Sequence, residues 1–192
     1  MAMKVKKSKS VLSGINLVGV SGFARSGKDT AYEAIKEIFN EESIERVAFA
    51  DALKLECLDF LRKNTGLSTF TTIDEEKEMI RPFLVAYGTN IRRKLDPDCW
   101  IKSIEEKISN EQDVDLFVVT DTRYTNESDW IKSRGGILIH INRDGIGPAN
   151  NEEATQGPRL AEAADIKIDM PTFKEGYKEK CKQIIKKQLE SH

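Results

Sequence analysis

The chain has 192 residues, 39% apolar and 32% charged, with 30 basic against 32 acidic side chains for a formal net charge of -2. At this length folding buries roughly 70% of the surface that the unfolded chain exposes, so a core forms without a disulfide or metal staple. No apolar run approaches the roughly 20 residues of a bilayer span, and so even a charge balance excludes a surface built to coat polymeric nucleic acid.

Residues 1–12 read as a flexible basic tail, because the apolar stretch after them is interrupted by Ser13, Gly14 and Asn16 and has no small-residue cleavage site. Ile15 to Ser21 is a short apolar run that stops at a glycine, the mark of a buried strand. From Lys28 to Asn40 the residues Ala31, Ala34, Ile35, Ile38 and Phe39 fall at helical spacing. Arg46 to Ala50 predicts a second strand, and a helix follows from about Asp51, placed to cap it, to Lys63. Residues 66–73 read as a loop, followed by helices near 74–94 and 97–109. Asp115 to Asp121 is the clearest strand of the chain. Glu127 to Ser133 predicts a helix and Gly136 to Ile141 a strand. Residues 143–160 contain Gly145, Gly147, Gly157, Pro148 and Pro158, a composition that predicts a lid or linker. Ile166 to Met170 alternates as a strand, and Lys174 to Leu189 closes the chain as a charged amphipathic helix. Strands alternating with helices predict an α/β fold with a mainly parallel sheet, in one domain over residues 13–192.

Cys57, Cys99 and Cys181 lack CxxC spacing, and with two histidines they make no zinc pattern. Free thiols in the cytoplasm are the expectation.

The segment that carries chemistry is Gly22-Phe-Ala-Arg25-Ser26-Gly27-Lys28-Asp29-Thr30, between a predicted strand and a predicted helix. That is the setting which the phosphate-binding loop GxxxxGK[ST] requires. Its glycines let backbone N–H groups turn toward an anion, and the helix N-terminus adds its positive end. Lys28 reaches outer phosphates as a mobile charge. The hydroxyl residue that binds Mg²⁺ in this motif is replaced by Asp29, with Thr30 one place late. The carboxylate of Asp29 would hold the ion directly or through water, and so would Asp121 at the end of its strand.

Three further segments narrow the acceptor: Phe49-Ala-Asp51-Ala-Leu-Lys54; Arg81 to Arg93 with Asp98-Cys-Trp100; and Asp121-Thr-Arg123-Tyr-Thr-Asn126-Glu127. With the Arg-Ser-Gly-Lys-Asp-Thr loop, and in this order over about residues 15–170, they resemble the phage-type deoxynucleoside monophosphate kinases. These are adenylate-kinase-like P-loop enzymes with a three-layer α/β/α fold and a small lid. The resemblance implies transfer of the ATP γ-phosphate, with Mg²⁺, to a deoxynucleoside 5′-monophosphate, and it allows a homodimer. It places Gly22 to Thr30 on ATP. It makes Lys28, Arg123 and Arg143 the cations on the transferred phosphoryl. It assigns Asp51, Lys54, Gly88, Thr89, Arg92, Trp100, Asn126 and Glu127 to the acceptor, within a helical region of about 51–110. Residues 143–160 would be the lid, with Arg159 reaching phosphate; where the family carries a histidine and a Ser-Glu there, this chain has Asn150-Asn-Glu152-Glu153.

Two other readings stay open on the residues. Animal-type phosphomevalonate kinases look similar in the Gly-Lys-Asp loop, and they give no reason for a base-stacking aromatic such as Trp100. A nucleotide sensor without turnover is supported by Asp29 and the histidine-free lid; the set Lys28, Asp121, Arg123 and Arg143 speaks against it.

Overall fold

A computed structural model describes residues 16–38, 43–111, 113–172 and 177–191. The expected tail, and the ends at Ile15, Phe39, Asn40 and Lys174 of three predicted elements, lie outside these residues. The chain forms two compact units. One comprises the described residues up to Glu45 and those from Val114 onward; the other is Arg46–Asp113.

Five strands, β1 (Leu17–Ser21), β2 (Ile44–Val47), β3 (Leu116–Thr122), β4 (Ile137–Arg143) and β5 (Ile166–Met170), lie in the order β2-β3-β1-β4-β5. β1 runs parallel to β3 on one side and to β4 on the other, and β4 is parallel to β5. β1 is buried at every position and β3 at every position but Asp121, as expected of strands covered on both faces. On one face Val18, Val20, Ile139, Ile141 and Ile168 pack with Ala31, Ala34 and Ile35 of α1 (Lys28–Ile38) and Cys181, Ile185 and Leu189 of α8 (Tyr177–Ser191). On the other face a Cβ at Gly19 would stand 2.4 Å from the Ile131 side chain of α6 (Thr125–Ser133), so only glycine lets that helix settle on the sheet. The result is the expected three-layer α/β/α arrangement.

A parallel sheet gathers the C-terminal ends of its strands at one edge, where ligands bind in such folds. Here Ser21 aligns with Thr122 of β3 and with His140 of β4. The phosphate loop, the segment 121–124 and Arg143 therefore leave the sheet from the same edge.

The helical unit contains α2 (Phe49–Thr65), α3 (Asp74–Tyr87), a π-helical turn (Gly88–Arg92), the single turn α4 (Arg93–Leu95) and α5 (Cys99–Asn110). α2 buries Phe49, Cys57 and Leu61, and α5 buries Cys99, Trp100, Ile101 and Ile104. The loop at 66–73 is as expected, and Thr69 Oγ1 ties it to Lys54 O at 2.8 Å. No helix among the described residues is long and apolar enough to cross a membrane.

Several boundaries differ from the sequence reading. The strand expected at 46–50 is Ile44–Val47, and α2 opens at Phe49, with Ala48 as N-cap. Asp51 is therefore not the cap; it stands in the first turn, where its charge meets the positive helix end. The largest difference is α7 (Asn151–Ala163), a helix in place of half of the expected lid or linker. Its signal was an N-cap: Asn150 Oδ1 accepts from Glu153 N at 2.8 Å, and that capping bond starts a helix despite Gly157 and Pro158.

Candidate active site

The phosphate loop closes between the last residue of β1 and the first turn of α1. Ser26 N donates to Phe23 O at 3.1 Å and Ala31 N to Gly27 O at 3.0 Å. Gly22 has φ 140° and Gly27 φ 108°, conformations an L side chain rarely adopts. Space enforces the same choice, because a Cβ on Gly22 would stand 2.4 Å from Ile141 O and one on Gly27 would stand 2.6 Å from Arg143 Nη2. Arg25 holds φ 65°, a left-handed residue of the kind concentrated at functional loops.

Lys28 arches back over this loop, its Nζ donating to Gly22 O at 2.9 Å and Phe23 O at 2.8 Å. Burial lowers its pKa first and the Arg123 guanidinium lowers it further, while Glu153, Asp29 and Asp121 pull it up. Two cations that raise each other's energy, Lys28 on the glycine loop and Arg123 just after β3, make a site that gains from an anion. Beside them Arg25, Gly27, Lys28, Asp29, Thr30 and Arg143 line a cleft of about 280 Å³.

Arg143 has a different position from the one its sequence neighbourhood suggests. It is 3% exposed, and its Nε donates to Ser26 O at 2.9 Å while Nη1 points to Pro171 O at 3.4 Å. Its guanidinium is spent on the underside of the loop, so it supports the loop rather than reaching freely for a phosphoryl. Arg123 is exposed, and its backbone N–H donates to Glu127 Oε2 at 2.7 Å.

Glu127, expected at the acceptor, is fully buried. The same carboxylate accepts from Tyr124 N at 3.0 Å, closing a capping box at the start of α6. Its role is to fix the turn that carries Arg123, and its acceptors are no longer open to a substrate. Asn126, beside it, is half-buried in the first turn of α6. Ser26 Oγ and Thr122 Oγ1 are buried with no hydrogen-bond partner among the described residues.

Asp29 is exposed in the first turn of α1, Asp121 is half-buried near the end of β3, and both act on the Lys28 charge. Hard carboxylate oxygens in small number suit Mg²⁺, which keeps several waters and takes its remaining ligands from phosphate. Among the described residues no group of three or more His, Cys, Asp or Glu stands ready to hold a metal. The carboxylates of Asp29 and Asp121 are of the kind that fits a magnesium ion whose further ligands come from phosphate.

In the helical unit Asp51 pairs with Arg46 at 3.0 Å and with Lys54 at 3.7 Å, while Lys54 Nζ lies 5.4 Å from the Phe70 ring centroid. Gly88 opens the π-helical turn, where a Cβ would stand 2.6 Å from the Leu53 side chain. Thr89 is half-buried in the same turn. Arg92 pairs with Glu56 at 3.0 Å and lies 5.5 Å from the Trp100 ring centroid. Trp100 is 2% exposed, so its expected place under a base is corrected: the ring is core, and its covered faces leave no platform. Glu56, which also accepts from the Tyr87 hydroxyl, escaped the sequence reading because an acid at an exposed helix position looks like any solvated charge.

The sequence model of the family described as phosphomevalonate kinase matches residues 20–136, more than half of the chain. The chain belongs to that family. Within the phosphomevalonate kinase family match lie the phosphate loop, the whole helical unit, β3 and α6; β4, α7, β5 and α8 follow it. No curated protein matches the chain. Among solved structures it is similar to a dephospho-CoA kinase from Campylobacter jejuni, at 15% identity and a TM-score of 0.48 over 92% of this chain and 98% of that one. It is also similar to a sugar kinase from Janibacter sp. HTCC2649, at 16% identity and a TM-score of 0.46 over 91% of this chain and 92% of that one. Membership in a kinase family gives the loop its ligand class. ATP is the implied co-substrate, with Mg²⁺ its usual companion.

Proposed function

We propose that this protein transfers the γ-phosphate of ATP to a phosphorylated small molecule, and that the acceptor is a deoxynucleoside 5′-monophosphate. The observation that carries the reading is Lys28, half-buried in the field of Arg123 on a glycine loop at the C-terminal edge of a parallel sheet. Phosphoryl transfer asks little covalent help of a protein; positioning and positive charge do most of the work. Lys28 would exchange the carbonyls of Gly22 and Phe23 for phosphate oxygens, and Arg123 would neutralise charge on the moving group. Asp29 or Asp121 would hold a magnesium ion, which would supply positive charge against the nucleotide's phosphates when bound. The bond from the γ-phosphorus to the ADP oxygen breaks as one forms to an oxygen of the acceptor phosphate, giving ADP and a diphosphate. The deoxynucleotide acceptor is supported by the order of segments from the phosphate loop to Asp121-Thr-Arg-Tyr-Thr-Asn-Glu127, and by the cations Lys54 and Arg92.

A phosphomevalonate acceptor is the second reading. The family match favours it, and the burial of Trp100 removes the aromatic that spoke for a base. An assay of ADP release with ATP and Mg²⁺, offering each deoxynucleoside and nucleoside monophosphate and then phosphomevalonate, separates the two. The expected result is ADP formed only with deoxynucleotides and lost in Lys28→Ala. ADP formed only with phosphomevalonate overturns the deoxynucleotide acceptor, and silence with every acceptor beside tight ATP binding points to a sensor.

A further inference from the structure

We infer that Glu153 is a built-in competitor for the nucleotide's phosphates: α7 holds its carboxylate on the backbone of the phosphate loop, and ATP must displace it. The inference rests on the reading of that loop as the ATP site. Ala24 N, inside the loop, donates to Glu153 Oε1 at 3.2 Å and to Oε2 at 3.4 Å. The carboxylate is fixed from its own side as well, since Ala149 N donates to Oε2 at 2.9 Å, and the residue's backbone is fixed by the N-cap, Glu153 N donating to Asn150 Oδ1 at 2.8 Å. A loop whose N–H groups and lysine are arranged for an anion thus already has one on Ala24, supplied by the chain. Its charge reaches Lys28, where it opposes the effects of burial and Arg123.

Two neighbouring contacts hold the helix in this position. Glu152 Oε1 accepts from the Tyr124 hydroxyl. Gly157 lies so close to the Phe23 ring that a Cβ would stand 2.4 Å from Cε1. What remains between Gly22, Phe23, Arg123 and α7 is a space of about 20 Å³. That holds about one water and no phosphoryl group. Gln156 Oε1 is buried in that lining without a hydrogen-bond partner among the described residues, a polar group that gains one only if the helix shifts or water enters. The docked helix and a phosphate beside Ala24 exclude each other, so nucleotide affinity carries the cost of undocking α7.

The test is calorimetric titration of the full chain with ATP and, separately, with adenosine, which has no phosphate to compete. Glu153→Gln keeps the shape and removes the charge; ATP binding should tighten by roughly three- to tenfold, the range of one ordinary exposed hydrogen bond, with adenosine unchanged. Hydrogen exchange at the Ala149 and Glu153 amides should speed up when ATP binds the wild type. ATP affinity that is unchanged or weaker in the variant, or amides that slow on ATP, overturns the inference. If Glu153→Gln does not fold, Glu153→Asp shortens the reach to Ala24, and it must tighten ATP binding for the inference to stand. A wild type that binds no ATP brings down the ATP-site reading and this inference together. A wild type that binds ATP, loses it in Lys28→Ala and is indifferent at Glu153 brings down this inference alone.

Discussion

Arg143 and Ser26 are joined across the underside of the phosphate loop, the Nε of the arginine donating to the serine carbonyl at 2.9 Å. The same guanidinium stands where a Gly27 side chain would be, so loop shape and arginine position are one constraint. Arg143→Lys keeps the charge and loses the planar fork. It should cost about 2 kcal/mol of stability, from a charged hydrogen bond that a lysine cannot reproduce. ATP affinity should fall with it while kcat at saturating ATP changes little. Urea midpoints and steady-state kinetics check this. A drop in kcat with ATP affinity intact would mean that Arg143 touches the moving phosphoryl after all.

Glu127 is expected to act on stability and not on the acceptor. Its carboxylate satisfies the Arg123 and Tyr124 N–H groups at the start of α6. Glu127→Ala strands both donors and should cost about 2 kcal/mol, the upper range for losing a helix cap. Equilibrium unfolding measures the loss. Acceptor KM in the milder Glu127→Gln should stay within about twofold of wild type, as it does when no ground-state contact is removed.

The same two residues show what a sequence can and cannot display. The sheet was legible because buried parallel strands are continuous apolar runs, as in Leu116 to Thr120, and the phosphate loop because glycine, lysine and strand-loop-helix order together are rare. Arg143 and Glu127 were legible as residues but not as partners. Whether a charged side chain faces ligand, backbone or solvent depends on the sheet register, which brings Arg143 under Ser26 from over a hundred positions away. α7 was hidden for another reason. Glycine and proline lowered its local helix propensity, and the Asn150 cap outweighed them. Glu153 therefore read as part of a loop, and its contact with Ala24 could not be anticipated.

Trp100 separates core from pocket. With 2% of its surface exposed and Arg92 over its ring, it packs the helical unit. Trp100→Ala should cost about 3–5 kcal/mol as a large cavity in a core. The gentler Trp100→Phe should leave acceptor KM unchanged. A rise in KM of about tenfold with an unchanged urea midpoint would return the ring to the acceptor site.

His140 makes the protein sensitive to acid at the sheet edge. Its Nδ1 lies 3.0 Å from Ser21 Oγ, and the ring is 7% exposed. Burial first, then the positive charges of Lys167 and Lys28, push its pKa down from 6.5 to about 4, with Asp169 opposing. The native state therefore favours the neutral ring, whereas the unfolded chain protonates near 6.5. Stability from this group is complete above pH 6.5 and is lost as the pH falls from there toward 4. The full loss is about 3 kcal/mol, from 1.36 kcal/mol for each pH unit between the two values. His140→Gln keeps a polar partner for Ser21 and cannot protonate. Between pH 6.5 and 4 its unfolding free energy should fall less steeply than that of the wild type, by that amount. Carboxylates titrate in both proteins, so the difference between the two curves isolates the histidine. Parallel curves would show that the imidazole reaches water and that the sheet edge is open there.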